Sequence, residues 1–271
     1  MYGALLGDMI GAPYEFSPIK TKDFPLFSKA SRFTDDSVMT VAVADVLIDA
    51  GKAASPEAVK KQLVLSMKKW GRRYPDGGYG GRFYGWLMGE DEEPYNSFGN
   101  GSAMRVSPAG WLYDTLDETR RYARLTAEVT HNHPEGIKGA EAVASAIYLA
   151  RTGSTKAEIK KQITDLFGYD LSQTCDAIRP AYRFDVTCQG SVPEAIVAFL
   201  DSTDTEDAIR NAVSLGGDAD TQGCIAGSVA EAYFGVPENL IAACRSRLPA
   251  DMLAVADRFM KVRRSPLKHR P

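Results

Sequence analysis

Helix-forming patterns with capping residues recur along most of this chain, whereas alternating runs of β-branched residues are nearly absent. Ser55, Pro56 and Glu57 begin an amphipathic stretch that continues to about Trp70, with proline at the first helical position. Because the strand signal is too weak for a Rossmann-type sheet, the predicted fold class is all-α. Further helices are predicted over residues 117–129, 134–150 (or from 133), 154–167, 204–215, 221–234 and 249–262, with another that starts at 191–194.

A chain of 271 residues is long enough for one large domain or two small ones. Glycine-rich segments at 77–81, 99–101 and 216–217 are too short to serve as linkers and too evenly placed to mark a boundary. The sequence shows no internal repeat at a fixed period. We therefore predict one compact domain over residues 1–262. The basic segment 263–271 is predicted to be a solvated, frayed tail rather than a contact for an acidic partner.

The first predicted helix is rich in small residues. Gly3, Gly7 and Gly11 are spaced by four, so they form a smooth face that allows another helix to pack closely. Asp8 and Glu15 are the polar exceptions in this segment, which a proline interrupts before Glu15. Taken alone, Glu15 is typical of a surface acid.

Two acidic segments, 34–37 (Thr-Asp-Asp-Ser) and 216–221 (Gly-Gly-Asp-Ala-Asp-Thr), each lie just ahead of a helical stretch and offer only oxygen donors. Helix capping requires one side-chain acceptor per helix, but acids are doubled at both starts. If the fold brings the segments together, two unpaired carboxylates about 4 Å apart repel by roughly 4 kcal/mol at an effective dielectric near 20. Such a cluster needs protons, basic partners or a hard cation such as magnesium, manganese or calcium.

Two further polar segments occur where loops lead into helices. Residues 99–105 place free backbone N–H groups at the start of a helix, which attracts phosphate, although the spacing matches neither a P-loop nor a dinucleotide fingerprint. A glycine turn into a core helix is the alternative interpretation. His131 and His133 lie immediately before a helix, where they allow a metal pair, one contact to a polar ligand, or simple helix capping.

Composition and charge argue against several classes of protein. A net charge of −3 gives no reason to expect a nucleic-acid partner, and no apolar run approaches the roughly 20 residues of a membrane span. The N-terminus lacks the basic start and long apolar core of a signal peptide, because Asp8 interrupts it. Four cysteines without a Cys-x-x-Cys pair are typical of reduced thiols in a cytoplasmic protein, and with three histidines no structural zinc site is expected.

Taken together, these segments resemble the ADP-ribosylglycohydrolase family, which includes the dinitrogenase reductase-activating and ADP-ribosylarginine hydrolases. The resemblance runs in order across nearly the whole chain. Its specific part is Thr-Asp-Asp at 34–36 paired with the distant Gly-Gly-Asp-x-Asp-Thr at 216–221. The other matching segments are 7–8, 13–15, 100–105, 131–134, 191–195 and 199–200.

The resemblance implies a compact all-α fold with a two-metal site, for Mg²⁺ or Mn²⁺, at helix N-termini. Glu15 falls where relatives have an acid that ligates the metals or gates access, and Glu15 and Asp36 are the candidate catalytic carboxylates. Arg105 is expected to be structural. The implied metal ligands are Thr34, Asp35, Asp36, Asp218, Asp220 and Thr221, and the implied ADP-ribose-binding residues are Phe98, Gly99, Asn100, Gly101, Ser102 and His133.

The reaction implied by the resemblance is hydrolysis of the glycosidic bond at the distal ribose, through a transition state with oxocarbenium character. Arginine-linked ADP-ribose on a protein is the first expected substrate, while serine-linked, nucleotide-linked and O-acetyl ADP-ribose remain open. Some relatives carry an acid where Asn96 and Ser97 stand here, which leaves the linkage specificity open. The rival functions are a non-catalytic ADP-ribose-binding protein and a metal phosphatase or nucleoside hydrolase. By analogy with single-domain relatives, we expect a cytoplasmic monomer.

Overall fold

The computed structural model describes residues 1–50 and 55–264, and these residues form helices joined by turns and loops. No β-strand occurs within them; an isolated antiparallel bridge joins Gly99 to Thr187. The predicted all-α class is therefore confirmed. The helices are α1 (Tyr2–Gly11), α2 (Asp35–Leu47), α3 (Pro56–Arg73), α4 (Gly81–Met88), α5 (Gly101–Met104), α6 (Ser107–Leu112), α7 (Leu116–Glu128), α8 (Pro134–Arg151), α9 (Lys156–Phe167), α10 (Cys175–Ile178), α11 (Cys188–Leu200), α12 (Thr205–Ser214), α13 (Ala219–Phe234), α14 (Glu238–Arg245) and α15 (Ala250–Val262), with a 3₁₀ turn over Ala12–Tyr14 after α1.

Two helical segments differ from the sequence-based expectation for a local reason that the structure shows. The helix expected to start at Ser191 begins at Cys188, because the Thr187 hydroxyl accepts a hydrogen bond from the backbone N–H of Gly190 and so caps α11. The segment that follows Gly101 forms two short helices, α5 and α6, rather than one. Pro108 lies in the first turn of α6, a position that proline favours because its missing N–H is not needed there.

Helix α13 runs through the core, and every residue from 219 to 232 is buried. Helix α1 packs along it through the predicted glycine face. A β-carbon placed on Gly7 would lie 1.9 Å from the carbonyl oxygen of Gly223, and one on Gly3 would lie 2.1 Å from that of Gly227. No real side chain fits these gaps, so the two helix backbones are in direct contact.

The same packing brings three helix ends to one side of the molecule. A β-carbon on Gly11 would lie 2.3 Å from the carbonyl oxygen of Ala219, so the C-terminal end of α1 lies against the N-terminal end of α13. The start of α2 is joined to the middle of α1, since Thr34 donates two hydrogen bonds to Asp8. The two acidic segments of the sequence therefore lie at adjacent helix N-termini.

The predicted domain end and tail are described only in part. Arg263 Nη1 lies 3.3 Å from Glu231 Oε1, and Arg264 Nε lies 2.9 Å from Asp114 Oδ1. Residues 265–271 of the predicted tail lie outside the described residues, so the boundary at residue 262 stays a prediction. Within the described segments, no helix combines the length and apolar character that a membrane crossing requires.

Candidate active site

The acids of the two sequence segments meet between the N-termini of α2 and α13. Single carboxylate oxygens of Asp8, Asp36 and Asp220 lie within 4.8 Å of one another, and so do those of Glu15, Asp218 and Asp220. The two groups share Asp220, which follows the first residue of α13. The paired carboxylate clusters of the sequence are thus one site in the folded chain.

Threonine hydroxyl groups connect the two helix ends around Asp36. The Oδ2 atom of Asp36 lies 3.4 Å from Thr221 Oγ1 on α13 and 3.4 Å from Thr34 Oγ1, which precedes α2. The other carboxylate oxygen, Oδ1, is buried and has no hydrogen-bond partner among the described residues. A buried carboxylate oxygen without a partner is costly, so this position calls for either a proton or a cation.

Asp8 is a component of this site whose role the sequence reasoning missed. It is fully buried in the middle of α1, and it accepts hydrogen bonds from the backbone N–H groups of Thr34 (2.9 Å) and Ser37 (3.0 Å) and from both of their hydroxyl groups. Its carboxylate therefore fixes the first turn of α2. The available signal was a single charged residue in an otherwise apolar and glycine-rich helix.

Asn100 holds the Asp218 carboxylate from the opposite side. Its Nδ2 atom lies 2.7 Å from Asp218 Oδ2 and 3.2 Å from Ser191 Oγ, so both amide hydrogens are used within the protein. Its backbone N–H donates to the carbonyl oxygen of Val186 at 2.8 Å. Asn100, which was expected to bind the substrate, thus also orients an acid of the cluster.

The carboxylates of the cluster disfavour one another's charge. Burial, together with the nearby Asp220 carboxylate, raises the pKa of Glu15 to about 8. Burial raises the pKa of Asp218 to about 6, and burial and neighbouring acids raise the pKa values of Asp35, Asp36 and Asp220 well above the ordinary range. Among the described residues, no Lys or Arg forms an ion pair with any of these five acids. Protons or cations must therefore balance their charge.

A cavity of about 480 Å³ opens above the cluster. Glu15, Asp35, Asp36, Asp218, Asp220 and Thr221 line it, together with the turn Gly99, Asn100 and Gly101 that was predicted to bind ADP-ribose. Ser102 is not a lining residue, because it is fully buried and donates from Oγ to the carbonyl oxygen of Gly136 at 2.7 Å. Phe98 and Thr34 also lie outside the lining. Further lining residues are Phe16, Gly78, Tyr79, Gly80, Gly81, Arg82, Phe83, Tyr95, Ser97, Met104, Arg105, His131, Phe184 and Val186.

The histidine that lines the cavity is His131. His133, which was expected to contact the ligand, caps α8 by accepting the backbone N–H of Glu135 at 3.1 Å, and its ring packs edge-on against Phe98. His131 lies two residues earlier and is buried against Phe83 and Tyr95. Of the two histidines noted in the sequence, His133 caps α8 and His131 lines the cavity.

The described residues form an all-α protein with a cavity of about 480 Å³ lined by an acid cluster. A family model described as ADP-ribosylglycohydrolase matches residues 1–268, and the chain belongs to this family. It is therefore a glycohydrolase of the ADP-ribosylhydrolase type.

Individual relatives agree with this assignment. ADP-ribosylhydrolase ARH3 from Homo sapiens is 28% identical over an alignment of 331 positions including gaps, and the alignment covers 93% of this chain and 90% of that protein. ADP-ribosylarginine hydrolase Tri1 from Pseudomonas putida (strain GB-1) is 24% identical over an alignment of 264 positions including gaps, and the alignment covers 87% of this chain and 70% of that protein. A solved structure described as an ADP-ribosylglycohydrolase-related protein complex superposes with a TM-score of 0.65 at 25% identity, covering 96% of this chain and 95% of that chain.

Proposed function

We propose that this enzyme releases ADP-ribose from arginine side chains of modified proteins, by cleaving the glycosidic bond at the distal ribose. The observation that carries the proposal is the convergence of Asp36, Asp218, Asp220 and Glu15 on one cavity of about 480 Å³. That volume lies within the usual range for a cofactor-sized ligand. The relative named ADP-ribosylarginine hydrolase Tri1 supports the arginine linkage.

The chemistry of the site fits two hard divalent cations, Mg²⁺ or Mn²⁺. Every donor of the cluster is an oxygen, Asp36 Oδ1 is buried without a partner, and the two carboxylate groups overlap only at Asp220. When bound, the cations would supply positive charge to the carboxylates and would orient hydroxyl groups of the ligand. The proposed ligands are Thr34, Asp35, Asp36, Asp218, Asp220 and Thr221.

The chain's own carboxylates are the candidates for proton transfer. Glu15 is the less buried of the two candidates, and its raised pKa of about 8 makes its protonated form accessible near neutral pH in the metal-free site. Asp36 is held by two threonine hydroxyl groups and is the second candidate.

The part of the cavity remote from the leaving group is proposed to hold the adenosine diphosphate moiety. The proposed contact is the turn Gly99, Asn100 and Gly101, which lines the cavity, because glycine lets a ligand approach the backbone closely. The contributions of Phe98, Ser102 and His133 to binding stay predictions, as do a monomeric state and a cytoplasmic location. The intact carboxylate set favours catalysis over the non-catalytic binder.

The linkage is tested by release of free ADP-ribose from defined conjugates in the presence of Mg²⁺. We expect release from arginine-ADP-ribosylated protein, with a loss of at least about 100-fold in Glu15→Gln and little change in the exposed-site control Asp165→Asn. Release from serine-linked ADP-ribose alone would overturn the arginine linkage and leave the hydrolase assignment intact. Tight ADP-ribose binding without release from any conjugate would contradict the proposed reaction.

A further inference from the structure

The imidazole of His131 is almost completely buried, yet its Nε2 atom lies beside the ligand cavity. His131 is 5% exposed and lines that cavity. A β-carbon placed on Gly101 would lie 3.2 Å from Nε2, and one on Gly99 would lie 3.5 Å from it, so Nε2 borders the glycine turn. No hydrogen bond to Nε2 is found within residues 1–50 and 55–264. This ring nitrogen is therefore available to a ligand.

The opposite ring nitrogen is fixed by a chain of two hydrogen bonds. Arg105 is fully buried, and its Nη2 atom donates to the hydroxyl oxygen of Thr130 at 2.7 Å and to the backbone carbonyl of Thr126 at 2.7 Å. That hydroxyl oxygen also lies 2.8 Å from His131 Nδ1. The backbone N–H of His131 donates elsewhere, to the carbonyl oxygen of Ala127 at 2.7 Å.

Only one placement of the protons satisfies both the contact between Arg105 and the Thr130 hydroxyl group and the contact between that hydroxyl group and His131 Nδ1. A guanidinium can donate but cannot accept, so the Thr130 oxygen is an acceptor toward Arg105. Among the described residues, His131 Nδ1 is then the sole acceptor within reach of the Thr130 hydroxyl hydrogen. If Nδ1 carried a proton, both it and Arg105 would point hydrogens at Thr130, and the buried hydroxyl hydrogen would have no partner. Nδ1 is therefore the acceptor, and the ring proton lies on Nε2.

The surroundings also disfavour a charged ring. Burial, and secondarily the positive charge of Arg105, lower the pKa of His131 well below its ordinary value. The ring is enclosed by the aromatic side chains of Phe83 and Tyr95, with centroid distances of 6.3 Å and 6.1 Å. The guanidinium carbon of Arg105 lies 5.7 Å from the same Phe83 ring. One cation and one neutral imidazole thus share this aromatic enclosure.

We propose that Arg105 and Thr130 are positioning residues that hold His131 as a neutral imidazole, whose Nε2–H donates a hydrogen bond to the adenosine diphosphate part of the ligand. This inference rests on the proposed function for the identity of the ligand, but the tautomer itself does not depend on it. The arrangement selects a ligand atom with a lone pair beside the glycine turn. Arg105, which was expected to be structural, would thus determine which ring nitrogen of His131 carries the proton beside the cavity.

The tautomer is tested by ¹⁵N NMR of the imidazole in the unmodified, ligand-free protein. We expect Nδ1 to show the shift of an unprotonated ring nitrogen and Nε2 that of a protonated one, at neutral pH. In Thr130→Val this pattern is lost or mixed, whereas Thr130→Ser restores it. Thr126→Val removes a neighbouring buried hydroxyl that does not contact His131, so it serves as the matched control for stability.

Binding is measured by calorimetry with ADP-ribose and with ADP, each in the presence of Mg²⁺. Loss of one hydrogen bond predicts that Thr130→Val binds both ligands about three- to tenfold more weakly than wild type, while Thr130→Ser and Thr126→Val bind normally. An Nδ1-protonated or doubly protonated ring in wild type would overturn the proposal, and so would weakening confined to ADP-ribose. Failure of wild type to bind ADP-ribose would instead contradict the proposed function and leave the tautomer to the NMR result.

Discussion

At the scale of single residues, the site depends on a carboxylate that faces protein rather than ligand. The Asp8 carboxylate accepts hydrogen bonds from the backbone N–H and hydroxyl groups of both Thr34 and Ser37. Asp8→Ala leaves two buried N–H groups unpaired, so we predict a loss of about 2–4 kcal/mol in the free energy of unfolding, measured by urea denaturation. Asp8→Asn retains one oxygen for both N–H groups and should lose less than about 1 kcal/mol. Equal losses in the two variants would contradict this role.

Some residues of the site could be predicted from the sequence and others could not. Acids doubled at two helix starts pointed to the two acidic segments, because capping alone does not require them, and Asp36 and Asp220 do lie together in the folded chain. The role of Asp8 could not be predicted, since its hydrogen-bond partners Thr34 and Ser37 lie 26 and 29 residues away in the chain and become neighbours only on folding. The sequence also did not show which of His131 and His133 borders the cavity, because this depends on which imidazole caps the first turn of α8.

At the scale of helices, the site depends on the close contact between α1 and α13. Gly7→Ala would place a methyl group 1.9 Å from the carbonyl oxygen of Gly223, so the helices must separate. We predict a loss of about 3 kcal/mol or more in unfolding free energy and a loss of activity, because Asp218 immediately precedes α13 and Asp220 lies in its first turn. Gly85→Ala in α4 is the control, since no atom lies within 4 Å of its added β-carbon. A Gly7→Ala variant as stable as Gly85→Ala would show that the contact is not needed.

Helix positions were largely predictable, because periodicity and capping act within a few residues. Helices α4, α10 and α14 were not predicted, and α11 starts earlier than expected because Thr187 caps it in place of Ser191. The meeting of α2 with α13 was not predictable from local patterns. It requires residues 36 and 221 to become neighbours, and only the family resemblance made that expectation specific.

At the scale of the whole molecule, the acid cluster makes the metal-free protein sensitive to pH. The pKa of Glu15 in the folded state, about 8, lies above the value of about 4.3 expected in the unfolded chain, and the pKa values of Asp35, Asp36 and Asp220 are shifted in the same direction. The folded state thus binds more protons than the unfolded state in this window, so stability falls as pH rises from about 4 to about 8.

Thermal unfolding in EDTA measures this dependence. We expect a lower Tm at about pH 8 than at about pH 5.5, and a smaller decrease in Asp220→Asn, because that variant removes the carboxylate shared by both halves of the cluster. Adding Mg²⁺ should raise the Tm more at the higher pH, since cation binding competes with protons. A Tm that rises over this range in wild type and variant alike would show that other groups dominate the titration.

The most direct test of the account is ADP-ribose release from arginine-ADP-ribosylated protein, measured against Mg²⁺ or Mn²⁺ concentration for wild type, Asp36→Asn and Asp220→Asn. We predict that EDTA abolishes release by wild type and that added cation restores it. Each variant should need more cation and turn over at least about 100-fold more slowly, while Asp165→Asn matches wild type. Full turnover in EDTA, or wild-type metal affinity and turnover in both Asp36→Asn and Asp220→Asn, would contradict the claim that the acids at the starts of α2 and α13 form a catalytic cation site.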